Sequence, residues 1–172
     1  EHDEVIYSQY AFIVYPLVTK AINAVAKEIP AKNWGHDLNG FLTALSDKTK
    51  LIFIANPNNP TGNFLTEAEL DAFLAKVPEN VIVVLDEAYT EFTHPSERVN
   101  SFALLDKYPN LIVSRSLSKA YGLAGLRIGY AVSNPEIADL LNRVRQPFNC
   151  NSLALTSAIA VMNDDAFVEK EA

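Results

Sequence analysis

Three polar runs hold the groups that could do chemistry: Asn56-Pro57-Asn58-Asn59-Pro60-Thr61-Gly62, Asp86-Glu87-Ala88-Tyr89 and Ser114-Arg115-Ser116-Leu117-Ser118-Lys119. Arg127 follows the last of them. A lysine amine can condense with an aldehyde to an imine, and an aspartate can pair with a protonated ring nitrogen. Serine hydroxyls and an arginine fork can hold a phosphate. Together these are the groups that a phosphorylated heterocyclic aldehyde requires. Taken singly, each has a plainer reading: Asn, Pro and Gly punctuate any turn, Asp86 could cap a helix, and Lys119 could be a solvated surface residue. Their combination points to chemistry if one edge of one sheet gathers them.

The elements that must do so are legible in the apolar pattern. Each polar run follows a short apolar one, Ile52 to Ala55, Val81 to Leu85 and Leu111 to Val113. Further strand candidates are Val5 to Tyr7, Ala26 to Ile29 and Ile128 to Val132, several without polar alternation, as in buried parallel strands. Between them Val14, Leu17, Val18, Ala21, Ile22 and Val25 repeat at helical spacing, as do Leu70, Phe73, Leu74 and Val77. Thr66 with Glu69 forms a capping box before the second stripe. Asn134-Pro135 opens another helix through Ile137, Leu140, Leu141 and Val144, with Pro147 as its stop, and a last helical stretch runs from about Ser152 to Met162. Strands alternating with helices predict an α/β fold with a mostly parallel sheet, whose ligand edge lies beyond the strands' carboxyl ends.

Composition limits the partners. The 172 residues carry 14 Lys+Arg against 21 Asp+Glu, a net charge of −7. This argues against nucleic-acid or anionic-membrane binding, which needs clustered positive charge. Apolar residues make up 49% and charged residues 20%, as in a folded single domain. The longest apolar runs fall far short of the roughly 20 residues that span a bilayer, and no secretory leader is visible. One cysteine, Cys150, allows no internal disulfide and fits a reducing, cytoplasmic setting; it has no catalytic context and is expected to pack. His2, His36 and His94 lack ligand spacing, so no metal site is expected. Gly122, Gly125 and Gly129 do not form G-x-G-x-x-G, which argues against a nicotinamide dinucleotide.

The first two runs, together with Ser116-Leu117-Ser118-Lys119-Ala120-Tyr121-Gly122-Leu123-Ala124-Gly125-Leu126-Arg127-Ile128-Gly129, closely resemble the fold-type-I pyridoxal-phosphate aminotransferases of class I/II. Order and separation match as well. The Asp86-Glu87-Ala88-Tyr89 and Ala124-Gly125-Leu126-Arg127 forms are most similar to the histidinol-phosphate aminotransferase branch. The resemblance implies a three-layer α/β/α fold, pyridoxal 5'-phosphate as cofactor, and amino transfer between histidinol phosphate and 2-oxoglutarate. Aromatic or aspartate amino donors, or threonine-phosphate decarboxylation, are the near alternatives. An aminotransferase-like sensor domain of a transcription regulator is the non-enzyme one. By resemblance Lys119 carries the cofactor and then acts as base, and Asp86 pairs with the ring nitrogen. Asn59 and Tyr89 bond the ring hydroxyl, Ser116, Ser118 and Arg127 hold the phosphate, and Tyr10 stacks on the ring, with Tyr7 and Tyr15 close by. The resemblance also implies a homodimer, and it makes residues 1–172 the central part of the large domain, without the N-terminal segment and the C-terminal small domain. Such a piece is expected to transaminate poorly alone. Asn59-Pro60 lies in a tight turn that permits either peptide isomer.

Overall fold

A computed structural model describes residues 2–171. Among these, the apolar runs become β1 (Glu4–Ser8), β2 (Val25–Ile29), β3 (Thr49–Ala55), β4 (Ile82–Asp86), β5 (Leu111–Ser116) and β6 (Gly129–Ser133). They form one sheet in the order β2-β1-β3-β4-β5-β6. The first five strands pair in parallel, and β6 closes the edge antiparallel to β5. The helices are α1 (Val14–Ala21), α2 (Leu38–Ala44), α3 (Glu67–Leu74), α4 (Ser101–Lys107), α5 (Pro135–Val144), α6 (Ser152–Val161) and α7 (Asp165–Glu171).

Successive side chains of a strand point to opposite faces, and β1 shows what lies on each. Ile6 joins Ile52, Ile54 and Leu85 with Phe41 of α2, Leu70 and Phe73 of α3, and Leu104 of α4. Val5 and Tyr7 join Tyr15 of α1 and Ala55 instead. The sheet is therefore a middle layer with helices on both faces, the α/β/α architecture expected from the sequence. A smaller cluster, Leu117, Ile128, Ala154 and Ala158, seats α6 beside the β5–β6 end.

Local signals explain the helix starts. Thr66 Oγ1 accepts from the Glu69 amide at 3.3 Å while the Glu69 carboxylate accepts from the Thr66 amide at 2.8 Å, so the capping box forms and Leu70, Phe73 and Leu74 are buried behind it. Asn134 caps α5 by accepting from the Ile137 amide at 2.8 Å. α5 ends at Val144, ahead of Pro147. The first stripe behaves differently. α1 stops at Ala21, Asn23 takes a left-handed φ of 57°, and Val25 starts β2. Its apolar residues Leu17, Val18 and Ile22 face outward, and Tyr15 and Thr19 are the buried pair. On the buried side, the Tyr15 hydroxyl finds a partner in Asp86 at the end of β4.

The antiparallel edge depends on a close approach. A Cβ at Gly129 would lie 2.6 Å from the Arg115 carbonyl oxygen of the neighbouring strand. Gly129→Ala must therefore push β6 away from β5. The expected cost is about 1–3 kcal/mol, as for overpacking elsewhere, read as a lowered thermal midpoint. An unchanged midpoint would mean that the two strands can separate freely at this pair.

Candidate active site

Because β3, β4 and β5 are parallel neighbours, their carboxyl ends share one edge, and a cleft of about 270 Å³ opens there. Asn59, Asp86, Tyr89, Ser116, Ser118, Lys119 and Arg127 all line it. The structure thus brings together every residue selected from the sequence except Tyr10.

The loop after β3 is shaped by its own amides. Asn56 is buried, accepting from the Leu65 amide at 2.7 Å and donating to the Leu65 carbonyl at 3.0 Å. Asn58 donates to the Tyr10 carbonyl at 2.9 Å and to Thr61 Oγ1 at 2.8 Å. The Asn56-Pro57 and Asn59-Pro60 peptides are both cis. With its neighbours tied down, Asn59 is left to meet Tyr89, its Nδ2 lying 3.5 Å from the phenol oxygen. Asp86 ends β4, and its Oδ1 accepts from the Ala88 amide at 3.1 Å, which bends the chain so that Tyr89 returns to the cleft. The Lys119 ammonium lies 5.2 Å from the Tyr89 ring centroid, a cation–π distance.

Arg127 has a left-handed φ of 54° and follows a short 3-10 turn at Ala124–Leu126. Its guanidinium donates to the Ala124 carbonyl at 2.8 Å and to Ser118 Oγ at 3.3 Å, and the Ser118 amide donates to Ser116 Oγ at 3.1 Å. Two hydroxyls and a guanidinium form one connected group, the donor chemistry that a phosphate takes. A lysine, a carboxylate and this group in one cleft suit pyridoxal phosphate.

Tyr10 does not line the cleft. Its ring stacks on Trp34, with centroids 5.2 Å apart and planes at 27°, and its carbonyl is held by Asn58. Phe12, two residues on, lines the cleft instead. β1 has ended at Ser8 by this point, so strand alternation no longer says which aromatic turns inward. Phe12 stands edge-on to Tyr15 at 6.2 Å and 87°.

Sequence reading also missed Tyr15, whose hydroxyl donates to Asp86 Oδ2 at 2.6 Å, and the Glu87–Arg115 pair. Glu87 is 1% exposed; it accepts from Arg115 Nε at 2.9 Å and Nη2 at 2.8 Å, and from Ser101 Oγ at 2.9 Å. Burial pushes its carboxyl up, against the pull of Arg115 and Ser101. The pair joins the end of β4 to β5 and α4 directly beneath the site. Both residues stood inside the motifs, yet nothing in their spacing says that they meet.

Among the described residues, no group of three or more His, Cys, Asp or Glu is placed to hold a metal ion, and no helix is long and apolar enough to cross a membrane. His36 donates from Nε2 to the Ala55 carbonyl at 2.8 Å, and its Nδ1 is buried without a partner. Burial lowers its pKa more than that bond raises it. A folded pKa below the unfolded value of about 6.5 gives stability that is present above that pH and lost as pH falls through the folded pKa. His36→Gln should flatten this loss, and unfolding midpoints measured across acidic pH will show it. Parallel pH profiles for the two proteins would count against it.

The residues 1–172 match the family Aminotransferase class I and II. Histidinol-phosphate aminotransferase 2 of Haemophilus influenzae (strain 86-028NP) is 86% identical over all of this chain and 47% of the relative. Histidinol-phosphate aminotransferase 1 of Mannheimia succiniciproducens is 80% identical over the same shares. The chain spans about half the length of the curated relatives it matches. The crystal structure of histidinol-phosphate aminotransferase from Sinorhizobium meliloti in complex with pyridoxal-5'-phosphate superposes with a TM-score of 0.92 at 31% identity, over 98% of this chain and 46% of that one. With the motifs, the sheet order and the match along its whole length in agreement, the chain belongs to the class I and II aminotransferases.

Proposed function

We propose that the protein carrying these residues is a cytoplasmic, homodimeric aminotransferase that moves an amino group between histidinol phosphate and 2-oxoglutarate. Residues 1–172 form the central part of its large domain. The observation that carries the reading is the convergence of Lys119, Asp86 and the Ser116–Ser118–Arg127 group on one cleft. The names of the two relatives at 86% and 80% identity support the substrate.

Pyridoxal phosphate, when bound, supplies an aldehyde and a protonated ring that draws electrons from the substrate's α-carbon. The rest is the work of this chain's side chains. The Lys119 amine would hold the aldehyde carbon and, once displaced by the substrate amine, would take the proton from the substrate's α-carbon and deliver it to the former aldehyde carbon. Asp86 keeps the ring-nitrogen proton in place as a carboxylate facing a cation. Asn59 and Tyr89 orient the ring through its hydroxyl. Ser116, Ser118 and Arg127 hold the phosphate, the arginine by paired charge-assisted bonds. Phe12, which lines the cleft, would offer the ring an apolar surface.

The test is a comparison of amino donors with the full-length protein and 2-oxoglutarate. Histidinol phosphate should exceed phenylalanine and aspartate in kcat/KM by at least about 100-fold, the discrimination expected when a site's polar groups require a partner. Comparable values would leave an aminotransferase of another specificity. Carbon dioxide release from threonine phosphate, without transfer, would replace the reading with a decarboxylase.

A further inference from the structure

Asp86 is held from two sides. Its Oδ1 accepts from the Ala88 amide at 3.1 Å, a bond made by its own turn. Its Oδ2 accepts at 2.6 Å from the hydroxyl of Tyr15, which is 71 residues away in sequence. Tyr15 is not free to turn elsewhere. It is 4% exposed, its ring lies parallel to Phe53 with centroids 4.5 Å apart, and its carbonyl accepts from Thr19 Oγ1 at 2.8 Å. Burial first, then the Asp86 charge and hydrogen bond, push the phenol far above its ordinary range, so it is a permanent donor.

A carboxylate has about four acceptor positions. The backbone amide and Tyr15 take one on each oxygen. Asp86 lines the cleft, so what they leave is available to a cationic N–H there. A carboxylate with only one such bond could rotate about its side chain and meet the cation at a poorer angle. The same helix entry also brings Phe12 into the cleft, and the Tyr15 amide donates to the Phe12 carbonyl at 3.0 Å. One turn of chain therefore sets the ring that covers the ligand and the phenol that orients its counter-ion.

We propose that Tyr15 is a positioning residue, which donates to Asp86 Oδ2 and so aims the carboxylate at the ring nitrogen of the bound cofactor. This rests on the cofactor reading above. Tyr15 lines the cleft beside Asp86, and the role assigned to it is exercised through Asp86. Its ring would pack as well if it were phenylalanine, so the hydroxyl is the part with the assigned role.

The experiment is an equilibrium titration of pyridoxal phosphate into the cofactor-free full-length protein, comparing wild type, Tyr15→Phe, Asp86→Asn and the double variant. Circular dichroism and the thermal midpoint of each cofactor-free protein report the fold. Tyr15→Phe should weaken cofactor binding roughly 10–100-fold, the size of a hydrogen bond to a charged group. In the Asp86→Asn background the same change should weaken it less than about threefold, because coupled residues do not add. The pH at which the bound cofactor's visible absorbance changes should move in Tyr15→Phe, a shift that a packing role would not produce. Equal losses in both backgrounds, or none, overturn the proposal and leave the cofactor reading intact. Failure of the wild type to bind pyridoxal phosphate saturably overturns both.

Discussion

Lys119→Ala in the full-length protein is expected to abolish transamination while leaving the fold unchanged. A positioned general base contributes roughly 10²–10⁴-fold to a rate, and the same amine is the covalent anchor, so kcat should fall by at least about 10³-fold. The side chain is exposed in the cleft, over the Tyr89 ring, and its removal opens no cavity in the core. Stability of the cofactor-free protein should accordingly be the same. Borohydride reduction in the presence of pyridoxal phosphate, followed by peptide mass mapping, gives a direct readout. One reduced adduct on Lys119, absent in the variant, is the expected pattern. An adduct on another lysine, or a variant within tenfold of wild type, would move the anchor elsewhere.

Glu87→Ala is expected to lower stability strongly. It removes a 1% exposed carboxylate that accepts from Arg115 twice and from Ser101, and it leaves the largely buried arginine without its counter-ion. Breaking a buried pair in this way costs about 3–5 kcal/mol. At 2–4 °C per kcal/mol for a chain of this size, the thermal midpoint should drop by about 10 °C. Arg115→Met together with Glu87→Leu should lose less than Glu87→Ala does, because no charge is then stranded. A fall of under 3 °C for Glu87→Ala would mean that water reaches Arg115 and that the pair is not a structural bolt. Arg115 also lines the cleft, so a mobile guanidinium should raise KM before it lowers kcat.

The strands and the site edge were legible because both rest on local pattern. Unbroken apolar runs such as Val81 to Leu85 mark buried parallel strands, and the polar residues after them must reach the same edge. The capping box at Thr66 and the Asn134-Pro135 start were legible for the same reason, since each involves residues within one helical turn. What escaped was long-range. α2 begins at Leu38, Asp37 before it makes no side-chain cap, and only Phe41 is buried, so nothing local announces it. The apolar stripe of α1 reads as a core face, yet Leu17, Val18 and Ile22 are exposed and the buried Tyr15 bonds to Asp86, 71 residues away. The choice of Phe12 over Tyr10 depends on where Asn58 holds the Tyr10 carbonyl, and the partnership of Glu87 with Arg115 on which side of β5 faces α4. No spacing rule contains these facts.

The sheet order has one more consequence, for which changes such a chain can absorb. Ala55, Asp86 and Ser114 are paired across adjacent strands, so the distances between their backbones are set by the roughly 4.8 Å step between hydrogen-bonded neighbours, and Asn59 and Ser116 follow a few residues on. The lengths of the segments that carry the chain from one strand to the next do not enter. Residues can be gained or lost around α3 or in the turns near Pro95 with the ligand edge kept as it is. A slip of a single residue along β4 would turn Asp86 to the other face and empty the edge of its carboxylate. Drift in this family is therefore expected to collect as length variation in the crossovers, with the strand registers held to the residue.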